Sequence, residues 1–284
     1  MTSSIPRRFI PVAGLSLMFL AARSSSGQGS PHLFDVVTEL PAAKVGSFVL
    51  CPSRQFIDKA LETGIEKNSF VFYAAKLRSK DKDVCKVRNL AGREFEVPNE
   101  LIVELGDPPE KVQVGDILLT WWQSGSGMQR AIVVGGSSET PVVRYLDVDL
   151  ENPSGIGKRE DKLRPNSFVK LEKRWQVGSS VAHTAGRPQR VGQLIWLNKD
   201  SVIVREFAGM LKKYPRKEVT PIPIAPELSA GDAAQAQLFG SLKQVTVDRV
   251  DEKTGRVFCN YQFGRSEKQK AFPFGEITKE LKPQ

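Results

Sequence analysis

The sequence is poor in the residues that build catalytic and metal centres. Its 284 residues include only two histidines, His32 and His183, which stand far apart in unrelated contexts. Neither has the Cys-His or His-carboxylate spacing of a metal site, so we predict no metal. No glycine-rich loop leads from a strand into a helix, which removes support for nucleotide binding. A Ser-His-carboxylate site assembled in space around His183 stays open, but no nucleophile motif accompanies it. We therefore predict a protein that is not an enzyme and has no cofactor.

Cysteine is also scarce, which excludes a fold that depends on many disulfides. The three cysteines are Cys51, Cys85 and Cys259. In an exported protein a Cys51–Cys85 bridge inside the first module is one interpretation, and it leaves Cys259 unpaired. Each cysteine lies in an apolar strand pattern, so we favour the other interpretation, in which all three are small buried hydrophobic residues.

Long apolar runs are absent except near the N-terminus. Arg7 and Arg8 precede an apolar run at 10–22, and a Ser/Gly tract follows it. This order predicts a secretory signal over 1–23, because the apolar part is too short to cross a bilayer comfortably. A tether at 24–43 follows, and no transmembrane helix is expected in the mature chain.

The end of this signal resembles a bacterial lipoprotein signal. Leu20-Ala21-Ala22 stands before the Ser/Gly tract, but Arg23 occupies the place of the cysteine that would accept the lipid. Because the acylated nucleophile is missing, we expect export to the periplasm or the medium without a lipid anchor.

What the sequence does contain is a pattern of short strands that occurs four times. A Val-Gly-type opening leads into an apolar strand, then a basic-apolar strand, then an alternating strand; the copy at Gly115 is the clearest. Repeats of this size indicate small supersecondary modules. Short strands broken by Gly, Pro and Asn favour barrels or sandwiches, and no helix recurs between them as it would in parallel α/β units. We predict an all-β protein of tandem small barrels, each with four to five antiparallel strands.

Turn residues and composition place the domain boundaries. We predict small barrels at 44–105, 112–171 and 176–222, a Pro- and Ala-rich linker at 223–237, and a full or partial barrel at 238–284. In the first barrel, apolar residues at helical spacing over 56–66 predict a helix or a long loop between the first two strands.

Several motifs resemble the Tudor and Agenet group of small barrels, within the Src-homology-3-like barrel class. In the second unit they are Gly115-Asp116, Trp121-Trp122, Arg130-Ala131-Ile132-Val133 and Val143-Arg144-Tyr145-Leu146-Asp147. In the first unit they are Tyr73-Ala74-Ala75-Lys76-Leu77 and Glu96-Val97-Pro98-Asn99-Glu100-Leu101.

The resemblance implies a binding site at one end of the barrel. Such barrels bind through aromatic residues at the mouth formed by the first–second and third–fourth strand connections, which nominates Trp121, Trp122 and Tyr145. Such a pocket can hold a methylated ammonium group or stack a base or sugar ring. Met128 stands where the group often has an aromatic residue. Because strand neighbours face opposite sides, the alternative is that one of the two tryptophans packs in the core.

A second candidate is a basic-aromatic patch between strands of the third unit. It consists of Lys212, Lys213, Tyr214, Arg216 and Lys217. Such a patch can contact phosphates or acidic glycans. The alternative is a solvated hairpin tip.

The formal net charge of +9 predicts a weak attraction to polyanionic partners. We predict a non-catalytic, exported binding or scaffold protein that engages a protein or an anionic polymer in the cell envelope. The alternatives are polyanion or nucleic-acid binding through a basic-aromatic surface, in which nucleic acid is not favoured, and binding to cell-wall peptidoglycan.

Overall fold

The computed structural model describes residues 32–105, 111–147, 160–183 and 189–281. The predicted signal segment at 1–23, with Arg23, and the beginning of the predicted tether lie outside the described residues. Within these ranges the chain forms four separate five-stranded antiparallel sheets. The predicted all-β class with tandem small barrels is therefore confirmed. The order of strands is the same in every sheet, namely fourth, third, second, first, fifth.

The first barrel contains the only α-helix of the described residues. Its strands are β1 Phe48–Pro52, β2 Phe72–Lys80, β3 Val84–Asn89, β4 Glu94–Pro98 and β5 Val103–Glu104. Helix α1, Arg54–Thr63, lies between β1 and β2 and buries Ile57 and Ala60, so the predicted helix is confirmed. A 3-10 turn at Ile65–Lys67 follows the helix, and another at Asn99–Leu101 precedes β5.

The second and third barrels follow the same plan without the helix. The second consists of β6 Ile117–Trp121, β7 Met128–Gly136, β8 Pro141–Tyr145, β9 Glu160–Lys162 and β10 Val169–Lys170. The third consists of β11 Ser180–His183, β12 Arg190–Leu197, β13 Ser201–Arg205, β14 Leu211–Pro215 and β15 Val219–Pro221, with 3-10 turns at Phe207–Gly209 and Arg216–Glu218.

The fourth barrel begins earlier than the sequence predicted. Its strands are β16 Ala233–Leu238, β17 Ser241–Asp251, β18 Arg256–Phe263, β19 Ser266–Pro273 and β20 Ile277–Thr278. Most of β16 lies inside the stretch 223–237 that we predicted to be a linker. The strand consists of Ala, Gln and one Leu, which have little intrinsic preference for strands. It is held by its pairing with β17 and β20.

One glycine turn opens all four sheets. The glycines are Gly46, Gly115, Gly178 and Gly231, with φ between 86° and 95°, a region that side chains with a Cβ rarely adopt. Their N–H groups donate to carbonyls of the second strands, at Leu77, Val133, Leu194 and Val247. Each second strand has a register shift directly after that residue. The turn and the bulge show that the four sheets are structural repeats.

The barrels form one compact unit over 31–284. A continuous cluster of buried apolar side chains includes members of all four, among them Leu50, Trp121, Ile203 and Val247. Barrels that are not consecutive also touch. Phe70 of the first barrel donates its N–H to Gly209 O of the third at 2.8 Å. The barrels are therefore packed on each other rather than strung along the chain.

The described part of the predicted tether, 32–43, lies against the first barrel. His32 Nδ1 is 2.9 Å from Glu100 Oε2, and the N–H of Leu33 donates to the other oxygen of this buried carboxylate at 3.1 Å. Further along, the N–H of Ala42 donates to Glu104 Oε1 at 2.9 Å. These bonds dock the segment on the barrel.

Candidate functional site

The aromatic pocket predicted in the second barrel is filled by the protein itself. Trp121 is 2% exposed, and its ring packs on Phe48 of the first barrel with centroids 5.1 Å apart. Tyr145 is also 2% exposed; its hydroxyl accepts from Gln123 N at 2.8 Å and donates to Asp161 at 2.9 Å. Burial and Asp161 both raise the pKa of Tyr145. Neither ring offers a face to a ligand.

Trp122 is half-buried at the turn that follows β6. Its Nε1 donates to Ser124 Oγ at 2.9 Å, and the turn folds over the ring so closely that a Cβ on Gly125 would lie 2.3 Å from it. Trp121, Trp122 and Tyr145 therefore share no open cleft. The structure shows the alternative arrangement, in which Trp121 packs in the core. Met128 is buried as well.

The predicted basic patch is largely used for internal contacts. Lys212 Nζ lies 3.5 Å from Glu206 Oε2, and Tyr214 is buried with its hydroxyl bonded to Glu206. The Arg216 guanidinium lies 4.3 Å from the centroid of the Trp175 ring.

The two remaining lysines of the patch are exposed. Lys213 donates to the carbonyl of Asp35, whereas the side chain of Lys217 is exposed to solvent. Strand alternation in β14 sends neighbouring side chains to opposite faces. The five residues consequently do not form one surface.

Glu206 is the centre of a buried polar cluster. His183 Nε2 lies 3.1 Å from Glu206 Oε1, and the His183 and Tyr214 rings stack with centroids 4.8 Å apart. Burial alone would raise the pKa of Glu206. The close contact with His183, the hydrogen bond from Tyr214 and the charge of Lys212 outweigh it and lower the pKa of Glu206 to about 2.

This cluster predicts an acid-sensitive contribution to stability. A carboxyl group whose pKa is lower in the folded state stabilises the fold above its ordinary pKa of 4.5, and that contribution is lost as the pH falls towards about 2. We expect Glu206→Gln to flatten the pH profile of the unfolding free energy in this window. Glu252→Gln, which changes an exposed carboxylate, is the control. Equal profiles for the two variants would contradict the prediction.

Arg130 joins three barrels and is fully engaged. It lies on β7 and is 4% exposed. Its Nε donates to Asp147 at 3.0 Å, and its Nη1 donates to Ser180 Oγ at 2.9 Å and to Phe274 O at 3.0 Å. Its Nη2 lies 3.5 Å from Glu276 Oε1. Burial opposes the charge, but these two carboxylates raise the pKa of Arg130 overall. The guanidinium is therefore a structural link between the second, third and fourth barrels.

The three cysteines are free and buried. Burial raises the pKa of Cys51 to about 12, of Cys85 to about 11 and of Cys259 to about 12. The interpretation as buried hydrophobic residues is thus confirmed, and the bridge between Cys51 and Cys85 is absent. Thiols with such pKa values are poor nucleophiles.

The fourth barrel has an open aromatic cleft. Phe239 is 73% exposed and Phe263 is 49% exposed, with ring centroids 5.4 Å apart, and Tyr261 lies 6.3 Å from Phe239. We call these three residues the aromatic fork. Phe239 stands between the first and second strands, and Phe263 ends the third strand. This is the mouth that the resemblance implied, but in a different barrel.

Two hairpins that diverge create the cleft. Strands β17 and β18 pair only as far as Thr246 and Asn260, whereas each continues with its other neighbour to the hairpin tip. The space between the hairpins is about 600 Å³. Lys243 and Glu267 line it, and Lys268 Nζ lies 4.7 Å from the centroid of the Phe263 ring.

The backbone at Phe239 is strained. Its φ is +51°, and Gly240 follows with φ +77°. Two-residue hairpin turns of this kind favour Asn, Asp or Gly at the first position, and a bulky residue there costs about 1–2 kcal/mol. An exposed ring buries little apolar surface, so it adds little stability to offset that strain. Backbone strain of this kind clusters at functional sites.

Sequence reasoning missed the aromatic fork because β16 was predicted to be linker. The signal that could have found it is the alternation of Ala and Gln over 233–238, followed by Phe239-Gly240 as a two-residue turn. In the part of the chain that the structure describes, no three His, Cys, Asp or Glu side chains group as a metal site would require. No helix of that part is long and apolar enough for a membrane span. The chain matches no protein-family model and no curated protein.

Proposed function

We propose that the protein is a non-catalytic binding protein that engages an anionic macromolecular partner through the aromatic fork. The observation that carries this proposal is a pair of exposed rings, Phe239 and Phe263, beside the half-buried ring of Tyr261 at one barrel mouth, with Phe239 on a strained turn. Exposed clusters of aromatic side chains are typical of interaction sites, where a few such residues supply most of the binding energy.

The charges around the aromatic fork favour an anionic partner. Lys243 and Lys268 line or flank the cleft, against the single carboxylate of Glu267. Lys268 already places its ammonium group at the Phe263 ring, which disfavours a methylated ammonium ligand on that face. The formal net charge of +9 adds a long-range attraction for anions.

A binding titration tests the proposal. The probes are poly-L-glutamate, a sulfated polysaccharide, a single-stranded oligonucleotide and purified peptidoglycan. We expect at least one anionic probe to bind, with an affinity that falls as salt rises. The Phe239→Ala/Phe263→Ala variant should weaken that binding by about tenfold or more, since each ring is a candidate anchor.

The control is Leu90→Ala, which removes an exposed apolar side chain from the first barrel. It should leave binding unchanged. Two outcomes would contradict the proposal: no probe binds, or the double substitution leaves the binding of every probe unchanged.

Export to the cell envelope is a separate proposal, supported by the N-terminal sequence. Fractionation of cells that express the full chain tests it. A protein shortened at its N-terminus and recovered in the envelope or medium is the expected result, and an unprocessed protein in the cytoplasm would contradict it.

A further inference from the structure

We infer that the partner of the aromatic fork is an extended acidic peptide, which runs from the fork to Phe207 on the third barrel. This inference rests on the proposed function. It adds the class of the partner and a second barrel to the site.

The backbone inside the fork points to a peptide. Both hairpins have two-residue turns, so the pairs that flank them, Leu238–Ser241 and Phe263–Ser266, bond to each other across the hairpin. Along an antiparallel strand, the N–H and C=O groups of successive residues point to opposite edges. Counted from these pairs, the N–H and C=O groups of Gln244 and Gln262 point away from their hairpin partners and into the cleft.

A neighbouring contact supports this direction. The N–H of Leu242, which lies on the same side of β17 as that of Gln244, leaves the hairpin and donates to Gln189 O at 2.8 Å. Strand edges that face a gap are templates for another extended chain. A peptide supplies N–H and C=O groups at strand spacing, whereas a glycan or a nucleic acid does not. We therefore infer a peptide rather than a glycan or a nucleic acid.

A second cleft continues the surface onto the third barrel. Its volume is about 540 Å³, and Phe239 lines it as well as the fork, so the two clefts share a wall. Phe207 of the third barrel, which is 72% exposed, also lines it. Phe207 and Phe239 have the most exposed aromatic rings among the large apolar side chains of the described residues.

The turn that presents Phe207 is fixed by the first barrel. Ala208 has φ +58°, and Gly209 accepts the N–H of Phe70 at 2.8 Å. A Cβ on Gly209 would lie 2.7 Å from Phe70 O. Because the first barrel holds this turn in place, Phe207 is positioned before any partner binds. The conformational entropy lost on binding is therefore smaller.

The charges along both clefts specify acidic side chains. Arg190 and Lys270 line the second cleft, and its carboxylate, Glu276, faces Arg130. Lys243 and Lys268 lie at the first cleft, against the carboxylate of Glu267. Side chains of an extended peptide alternate between faces. Acidic residues that alternate with apolar ones would place the apolar groups against the rings and the carboxylates near the cations.

Fluorescence anisotropy with two labelled peptides of alternating Glu and Val tests the inference. The peptides have about five and about ten residues and span roughly 17 and 33 Å at ~3.3 Å per residue, so that only the longer one has the reach to contact both clefts. We expect the longer peptide to bind more tightly. Phe239→Ala should weaken both peptides about tenfold, whereas Phe207→Ala should weaken only the longer one. N-methylation of the peptide backbone should abolish binding, and Leu90→Ala should change nothing.

The outcomes separate the inference from the proposed function. If the oligonucleotide or the polysaccharide binds at the aromatic fork and the peptides do not, the inference fails and the proposed function stands. N-methylated peptides that bind as well as the parent peptides overturn strand pairing. Phe207→Ala that leaves the longer peptide unaffected overturns the second cleft. If nothing binds at the fork, both proposals fail.

Discussion

Arg130→Met should lower the free energy of unfolding by about 3 kcal/mol, because it removes a buried guanidinium together with its ion pairs and its hydrogen bonds. Methionine keeps much of the volume but leaves the carboxylate of Asp147 without its cation. It also removes the bonds to Ser180 Oγ and Phe274 O, and with them the hydrogen-bonded link that Arg130 makes between three barrels. Urea denaturation of the intact chain measures the loss.

The matched control is Arg144→Met on the adjacent strand. Arg144 pairs with Glu160 in a partly exposed position, so its loss should change stability by less than about 1 kcal/mol. Adding Asp147→Asn to Arg130→Met should restore part of the stability, because one uncompensated charge is removed. Equal losses for Arg130→Met and Arg144→Met would contradict the assignment of Arg130 as the junction.

Trp121→Ala should have an effect of similar size, about 3–5 kcal/mol, as expected for truncating a large buried aromatic residue. The ring is 2% exposed and belongs to the apolar cluster that all four barrels share. Its contact with Phe48 crosses from the second barrel to the first, so the cavity would open at a barrel interface. Thermal or chemical denaturation checks the size of the loss.

Trp122→Ala is the informative comparison for this prediction. The same side chain is removed one residue further along, from a half-buried position at a turn. We expect a clearly smaller loss of stability. A loss for Trp122→Ala equal to or larger than that for Trp121→Ala would show that the two side chains have been assigned to the wrong environments.

The fold was predictable because its signals are local. Strand alternation and the openings at Gly46, Gly115 and Gly178 are readable within a single unit. The opening at Gly231 has Ala in place of Val before it and leads into a strand of Ala and Gln, so composition concealed the start of the fourth barrel. That strand is specified by its partners β17 and β20, which sequence propensity cannot show.

The candidate site was harder to predict because exposure depends on contacts between units. The pattern around Trp121 is that of a barrel mouth, but Phe48, over seventy positions earlier, covers the ring. The basic patch is also covered by residues from elsewhere in the chain. Asp35 accepts a hydrogen bond from Lys213, and the Trp175 ring contacts the Arg216 guanidinium. Phe239 is 73% exposed because none of the described residues of the other barrels packs over its ring, a property of the packing between barrels that its own segment does not encode.

The repeated glycine turn matters for the engineering of this chain. Four copies keep one backbone pattern, yet each has outer faces fitted to a different neighbour, as at Arg130 and Gly209. Modules with such different outer faces are not interchangeable. In a chimera that exchanges one copy for another, the hydrogen bonds within each sheet would be kept. The contacts between neighbouring barrels would be lost.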